Sequence, residues 1–532
     1  SDRWGTYKKS FYNRVVNGNR VLNNSEFPYT IQEDDATSYS ERELADRLAS
    51  KWQLTQIATP TGSKISVEYE SDDYAYVQNR RAMQMCFVEG ITSSGNATGL
   101  GTADKLAIHL PKAVSSATEF KDLYLKQPDG SLTDKIFFKV FANIDNNPGH
   151  YDYVYGYAAL DLANCTASGN TAFIALKKVD GYNPVAKAAW QMLRTDLPQL
   201  AYDNYDNTNV ADGAAAIKSI VSAIGNLREI IQPFEKRAIN RKFSDRIDLN
   251  KSMVRLNNPD MKKIGGGARV KMIQISDEWF EMNGKSNLVK GAKYGQVYDY
   301  ALRDRSGNFI ASSGVASYEP QIGNEENPFH EPVSFTEKVH WANDRQHFIE
   351  KPYCETYFPG ASVGYSKVRV TAIGDDYQPG SPLIKHTGYI ENEFYTARDF
   401  PTIVENLTLD KKLYENNLIL KLFSATSIKR MATSQGFKIE LNDMHGKPKA
   451  TTIYNKGGDV VSSSEYFYKV KDENAAQKEL NNEVQVLRQN GSIATTTIAT
   501  DIDVITDVRE SKNESTGGSV GGYSGGLQAW VI

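Results

Sequence analysis

Tyrosines at every second position are the feature of this sequence that most limits its fold. The chain of 532 residues contains 30 tyrosines, and residues 151–157 read Tyr-Asp-Tyr-Val-Tyr-Gly-Tyr. Side chains at i and i+2 lie on the same face of a β-strand, where aromatic rings stack against neighbouring strands. The spacing recurs at Tyr74 and Tyr76, Tyr298 and Tyr300, and Tyr466 and Tyr468. The pattern predicts a mainly β fold of antiparallel strands.

Alternation, β-branched and aromatic residues, and turn residues together predict where the strands lie. Turn signals include Pro128-Asp129-Gly130, Ser306-Gly307-Asn308 and Lys456-Gly457-Gly458. The predicted strands are 65–70, 74–78, 136–142, 152–158, 172–179, 269–275, 294–303, 309–315, 367–372, 418–423, 436–441, 449–454 and 465–470. The tail after about Gly491 also alternates like a strand and ends in a stretch rich in glycine and serine.

Three segments have helical character. Segment 40–50 is short and polar, and segment 184–195 has Asn183 as its N-cap and Pro184 at its first helical position. Segment 212–240 has apolar residues three and four apart and contains Pro233, which we expect to kink it. The last two segments predict an α-helical hairpin inserted between β regions, with its apolar stripe buried against the β body. Segment 471–489 is interpreted as a linker or a short helix.

These elements divide the chain into five predicted parts. They are an N-terminal mixed segment 1–60, a β-rich region 61–182, the helical hairpin 183–243, a second β-rich region 244–475, and a strand-like tail 476–532. Because the chain opens without Met and closes in a glycine-rich stretch, we expect it to be a piece of a longer polypeptide.

Charge and hydropathy argue against nucleic-acid binding and against a membrane-spanning segment. The chain has 61 Lys and Arg against 65 Asp and Glu, so no basic excess is present to bind nucleic acid. No run of about 18 apolar residues occurs, so the sequence predicts no transmembrane segment. Cys86, Cys165 and Cys354 are far apart and form no CxxC pair, so we predict buried free thiols, with one long-range disulfide as the alternative.

Two motifs that often carry chemistry occur in contexts that favour a structural role. Residues 360–364 read Gly-Ala-Ser-Val-Gly and match a nucleophile elbow, but a predicted strand follows where a helix is needed, so we interpret them as a turn. Residues 265–267 are three glycines before a predicted strand, which favours a β-bulge or a close backbone approach over a phosphate loop. We therefore predict no catalytic residues and no organic cofactor.

Acidic residues cluster between the two predicted hairpin helices. Asp203, Asp206 and Asp212 lie close together in sequence, and clustered oxygen ligands in a loop can hold Ca²⁺. Their spacing does not match an EF-hand. We take these three residues as the candidate calcium site, with an ordinary solvated loop as the alternative.

Two stretches share a glycine turn followed by a strand that ends in tyrosine. Residues 61–70 read Thr-Gly-Ser-Lys-Ile-Ser-Val-Glu-Tyr-Glu, and residues 445–468 form a strand, a Gly-Gly turn and a returning strand closed by Tyr466 and Tyr468. This design resembles the Rhs/YD repeat. The phrases Asp72-Asp73-Tyr74 and Gly364-Tyr365-Ser366 are similar to the non-toxin region of very large Rhs-like surface proteins of Gram-negative bacteria. The repeat spacing is irregular, and the helical hairpin departs from the family pattern.

The resemblance implies a long β-sheet that spirals or closes into a shell and serves structure, encapsulation or display. It implies a secreted or cell-surface protein, extracellular or on the outer surface of a Gram-negative bacterium. The partners would be other parts of the longer polypeptide or a surface-protein complex. In this family the enzymatic or toxic activity usually lies in a separate C-terminal domain, so no catalytic residue is carried over.

Two further functions remain open from the residues alone. The first is a surface adhesin or a module that binds glycan or cargo through exposed aromatic side chains. The second is a carbohydrate-active hydrolase, whose two carboxyl groups come from distant strands and leave no local signature. Tyrosines buried between sheets would favour the scaffold, whereas exposed tyrosines along a groove would favour the binding module.

Overall fold

The computed structural model describes residues 1–7, 26–32, 40–93, 96–97, 99–195, 197–201, 234–277, 292–337, 345–351, 361–374, 388–415, 426–498 and 501–516. Strands make up 50% of the described residues and helices 11%. Neighbouring strands pair antiparallel almost throughout, which confirms the predicted mainly β class.

The first elements in chain order are α1 (Ser40–Ala49), β1 (Gln56–Ala58), β2 (Lys64–Tyr74), β3 (Tyr76–Val77), β4 (Arg80–Arg81), β5 (Met83–Ser93), β6 (Asn96–Ala97), β7 (Lys105–Val114), α2 (Ala117–Phe120), β8 (Lys135–Asn143), β9 (Tyr151–Ala159), β10 (Thr166–Ala175), α3 (Pro184–Thr195) and α4 (Pro198–Ala201).

The remaining elements are α5 (Phe234–Arg241), β11 (Ile247–Asn257), β12 (Lys263–Ser276), β13 (Lys293–Asp299), β14 (Ala301–Arg303), β15 (Phe309–Ser312), β16 (Gly314–Ala316), β17 (Pro332–Glu337), β18 (Arg345–Glu350), β19 (Val363–Tyr365), β20 (Lys367–Ile373), β21 (Gly388–Phe394), β22 (Ile403–Asn406), β23 (Asp410–Glu415), β24 (Thr426–Glu440), β25 (Pro448–Asn455), β26 (Val460–Glu465), β27 (Glu483–Leu487), β28 (Ile493–Thr497) and β29 (Asp501–Thr516).

Eight strands form the long sheet, in the order β1-β2-β12-β13-β20-β21-β25-β26. This spatial order is also the order of the strands along the chain. The hairpin β25–β26 at its end closes through the predicted Gly-Gly turn, where Gly458 has φ +87°. The long sheet therefore adds its strands at one edge as the chain proceeds.

A second group, the core sheet, has the order β10-β7-β5-β11-β8-β9, with β6 paired to β5. One face packs against α3 and α5 and forms the main hydrophobic core, which includes Val154, Ala158 and Trp190. The indole Nε1 of Trp190 donates to the carbonyl of Phe243 at 2.8 Å, which joins α3 to the chain after α5. The core thus lies between this sheet and its helices.

The predicted tyrosine row lies on the opposite face of the core sheet. Tyr157 packs with a cluster that contains Phe137 and, from the N-terminal segment, Phe27 and Tyr29. Tyr155, two residues before, is 57% exposed. The period of two is thus confirmed, with Tyr151, Tyr153 and Tyr157 partly buried and Tyr155 exposed.

The helical predictions are confirmed where the structure describes them. Helix α3 has the predicted bounds, and the side chain of Asn183 accepts from the amide of Val185 at 2.9 Å as its N-cap. Helix α5 lies at the end of the predicted segment 212–240. Residues 202–233 lie outside the described residues, and so does the predicted strand 418–423.

One strand prediction near the end of the chain is wrong, and one open interpretation is narrowed. The predicted strand 465–470 overlaps the observed strand β26 only at Glu465. Beyond it, Tyr468 packs edge-on against Tyr395 with ring centroids 5.7 Å apart. The segment 471–489, interpreted as a linker or a short helix, contains no helix: it begins as a linker, in which the amide of Lys471 bonds the carbonyl of Glu479 at 2.9 Å, and then forms β27.

Candidate functional site

Four charged side chains and one tyrosine form an enclosed cluster where the N-terminal segment meets the long sheet. Arg3 pairs with Glu326 at 3.0 Å and with Glu319 at 3.4 Å. Lys263 pairs with the same two carboxylates, at 3.1 and 2.8 Å. The hydroxyl of Tyr74 donates to Glu319. Two cations and two anions balance, as a buried cluster requires.

The electrostatics of this enclosed cluster keep the carboxylate of Glu319 ionised. Burial acts to raise the pKa of Glu319, but Lys263 and Arg3 outweigh it and hold that pKa below its usual range. Burial and the neighbouring Glu319 raise the pKa of Tyr74, so its hydroxyl stays a hydrogen-bond donor. Neither Glu319 nor Tyr74 therefore titrates near neutral pH, and their charge states are fixed.

The N-terminal segment is tied to the same region by backbone recognition. The carboxylate of Asp2 accepts from the amides of Trp4 at 3.0 Å and Thr6 at 2.9 Å. The side-chain amide of Gln32 makes a two-way pair with the backbone of Ile264, at 3.0 and 2.8 Å. Segments 1–7 and 26–32 are therefore structural parts of the joint with β12.

The three glycines 265–267 form the β-bulge that the sequence predicts. Their φ angles are +153°, +115° and +129°, and the register of β12 against β2 shifts between Ile264 and Ala268. A Cβ atom on Gly266 would lie 2.4 Å from Cγ2 of Val363. The bulge thus needs glycine both for its backbone angles and for the approach of β19.

A second polar cluster lies beside the bulge and centres on Arg269. Its guanidinium bonds Glu70 at 2.7 Å and Asp73 at 2.8 and 3.0 Å, and donates to the hydroxyl of Tyr365 at 3.1 Å. Tyr365 in turn donates to Asp72. Burial raises the pKa of Asp72 to about 6, against the opposing effects of Tyr365 and Arg269. Two phrases that carry the resemblance, around residues 72–74 and 364–366, thus meet in space.

The serine of the Gly-Ala-Ser-Val-Gly motif lies at the entry to a strand. Ser362 precedes β19, and its hydroxyl lies 3.1 Å from the hydroxyl of Tyr318. A Cβ atom on Gly364 would lie 2.6 Å from Nε2 of His445, so the second glycine serves close packing. The structure therefore agrees with a turn into a strand; Gly360 lies outside the described residues.

The other predicted site residues are placed as follows. Asp203, Asp206 and Asp212, the candidate calcium ligands, lie outside the described residues, as does Cys354. Cys86 and Cys165 are buried free thiols, as predicted. Within the described ranges, no three His, Cys, Asp or Glu side chains are grouped to hold a metal ion. None of the helices in those ranges is long and apolar enough to cross a membrane.

Comparison of the chain with protein-family models, with curated proteins and with solved structures finds no match.

Proposed function

We propose that this chain is a non-enzymatic β scaffold segment of a large secreted or cell-surface Rhs/YD-like bacterial protein, serving structure, encapsulation or display. The observation that carries the proposal is the long sheet, whose eight strands follow one another in space in chain order. A sheet built this way can be lengthened by any further strand without rearranging those already paired.

The two edges of the long sheet differ in a way that supports growth at one of them. Strand β1 has three residues and is soon followed by Pro60, and short strands and prolines blunt a sheet edge. Strand β26 has six residues, all exposed, and contains neither Lys nor Pro. In the described part of the chain its outer edge has no strand partner. An edge of this kind is a template for another strand.

The placement of charge also supports a structural role. The clusters around Glu319 and Arg269 use their carboxylates in ion pairs that join distant segments of the chain. They lie beside a narrow cavity of about 20 Å³ bordered by Ser71 and Gly265, far below the roughly 300 Å³ of small-molecule sites. The charges around Glu319 therefore join segment 1–7 to the sheets, and those around Arg269 join β12 to β2 and β19.

Hydrogen exchange on the isolated chain and on the native protein from its source tests the proposal. We expect the amides of β26 to exchange rapidly in the isolated chain and to be protected in the native protein, where a further strand covers the edge. Strand β13, which is paired on both sides, is the internal control and should be protected in both.

The native protein's mass provides a separate check on the same proposal. Peptides that continue past Ile532 in a much larger native polypeptide are expected. A native protein of this chain's size, with β26 equally unprotected in both samples, would overturn the scaffold proposal.

A further inference from the structure

A cleft of about 390 Å³ opens beside the outer face of the core sheet. Its inner wall includes Arg255 of β11, Phe137 of β8 and Tyr157 of β9, and its rim includes the turn 127–135 and the loop 328–331. The volume falls within the roughly 300–1,000 Å³ of small-molecule sites. The cleft is separate from the joint around Glu319 and from the edge of β26.

Arg255 in the inner wall is a buried cation without a carboxylate partner. Its side chain is 7% exposed, and its guanidinium donates to the carbonyls of Asn327 at 2.5 Å, His330 at 2.9 Å and Glu325 at 3.2 Å. Within the described residues it forms no ion pair. Arg3, which is 3% exposed, pairs with carboxylates, whereas Arg81, which is 8% exposed, donates like Arg255 to main-chain carbonyls.

The donors of Arg255 are only partly used. A guanidinium has five N–H groups, and three of them point at main-chain carbonyls. The Nε–H and one N–H of Nη2 have no acceptor in the described part of the chain. Nε and Nη2 share one edge of the planar group, the kind of edge that binds a carboxylate through two parallel hydrogen bonds.

The charged side chains that line the cleft balance in number: Arg80, Lys135 and Arg255 stand against Asp129, Asp134 and Glu331. Glu331 lies between Arg80, with which it pairs closely, and Lys351 at 2.9 Å. Burial acts to raise the pKa of Glu331, but Arg80 and Lys351 hold it down at about 2, so it is an anion shared by two cations. Glu331 is therefore already paired, and Arg255 has no carboxylate of its own among the described residues. Asp129 and Asp134 lie on the exposed rim, where solvent screens them.

Neutral polar groups and aromatic rings complete the lining. The side-chain amides of Asn79 and Gln477 line the cleft and have no hydrogen-bond partner among the described residues. Amides of this kind bind hydroxyl groups as donor or acceptor. The partly buried ring of Tyr157, which packs edge-on against the buried ring of Phe137, offers an apolar surface beside them. A ligand that suits all three features carries a carboxylate, several hydroxyls and an apolar ring face.

We propose that this cleft binds a sugar acid, with its carboxylate on the free edge of Arg255 and its hydroxyls on Asn79 and Gln477. The site is independent of the scaffold proposal, because a scaffold segment needs no ligand here. A small uronic acid is the simplest compound of this class.

Calorimetric titration of the full chain with glucuronate, and with glucose as the neutral probe, tests the site. Saturable binding of glucuronate, with glucose at least about tenfold weaker, is expected, since a buried charge without its partner discriminates strongly. Arg255→Gln should abolish binding. Arg303→Gln is the matched control, because Arg303 pairs with Asp299 on the surface outside the cleft and should leave the affinity unchanged.

Arg255→Gln also removes the bonds that hold the loop 325–330, so a second pair of variants guards against misfolding. Asn79→Ala and Gln477→Ala keep those bonds and should each weaken glucuronate binding about three- to tenfold without a change in Tm. Equal binding of glucose and glucuronate, no binding of either, or full affinity in both alanine variants would overturn the proposal.

Discussion

Lys263 and Glu319 form an ion pair of 2.8 Å although both side chains are completely enclosed. Glu319 also accepts from Tyr74 and pairs with Arg3, so one carboxylate serves three donors. Removing one partner from such a cluster leaves charge buried without compensation, which costs far more than the cluster contributes as a whole. The arrangement therefore holds the N-terminal segment in place chiefly through the penalty for breaking it.

Glu319→Gln should lower the free energy of unfolding by about 3–5 kcal/mol, because it leaves Arg3 and Lys263 sharing the single carboxylate of Glu326. Urea unfolding at neutral pH measures this change. Asp299→Asn breaks the half-exposed surface pair with Arg303 and should cost less than about 1 kcal/mol. Equal losses of unfolding free energy in the two variants would show that leaving charge unpaired in the enclosed cluster carries no extra cost.

Gly266→Ala should destabilise the protein by several kcal/mol, since alanine must adopt φ +115° and its Cβ would overlap the side chain of Val363. Gly130→Ala is the matched control: it has φ +85° but nothing within 4 Å of the added atom, so only the backbone cost of about 1 kcal/mol applies. Thermal unfolding of both variants measures the difference. A Gly266 variant as stable as the Gly130 variant contradicts the close approach of β19.

Asp72→Asn should remove a loss of stability that the native protein suffers as the pH rises. The pKa of Asp72 is raised to about 6 in the folded state, so its stabilising contribution is complete below the unfolded pKa near 4 and is lost as pH rises through 6. The loss amounts to roughly 3 kcal/mol. The free energies of unfolding of the native protein and the variant are measured at pH 4 and at pH 7. The difference between the two proteins should change by about this amount between the two pH values.

The contribution of His445 to stability, which His445→Gln removes, should depend on pH in the opposite sense to that of Asp72 and over nearly the same pH range. Burial lowers the pKa of His445 to about 4, so its contribution is complete above the unfolded pKa near 6.5 and is lost as the pH falls towards 4. The glutamine variant should lack this acid-side loss of roughly 3 kcal/mol. If native protein and variant respond to pH in parallel, folding does not lower the pKa of the imidazole and the prediction fails.

The elements that the sequence predicts well are those with a local signal. Helix α3 has its N-cap and proline, the turn at Gly458 has its glycines, and the bulge at 265–267 has no side chains at all. Strands β5 and β11 were not predicted from the sequence, because residues 83–88 and 252–257 are buried without interruption. A strand covered on both faces has no alternation of period two to detect.

The charged clusters leave no signal in the sequence for a different reason. Arg3 and Glu319 are separated by 316 positions, and each has the local context of an ordinary surface charge. Only the fold brings them together. Arg255 offers a weak local clue, since it lies in the apolar run Met253-Val254-Arg255-Leu256, where a lone charge needs a reason.

The agreement between spatial order and chain order in the long sheet also bears on how the protein is made. Every strand of this sheet leaves the ribosome after its neighbour on one side has been synthesised, so a vectorial process can complete the sheet from the N-terminus. At each stage a single fresh edge is exposed to aggregation. The core sheet lacks this property, because β5 and β8 must wait for β11 to fill the place between them.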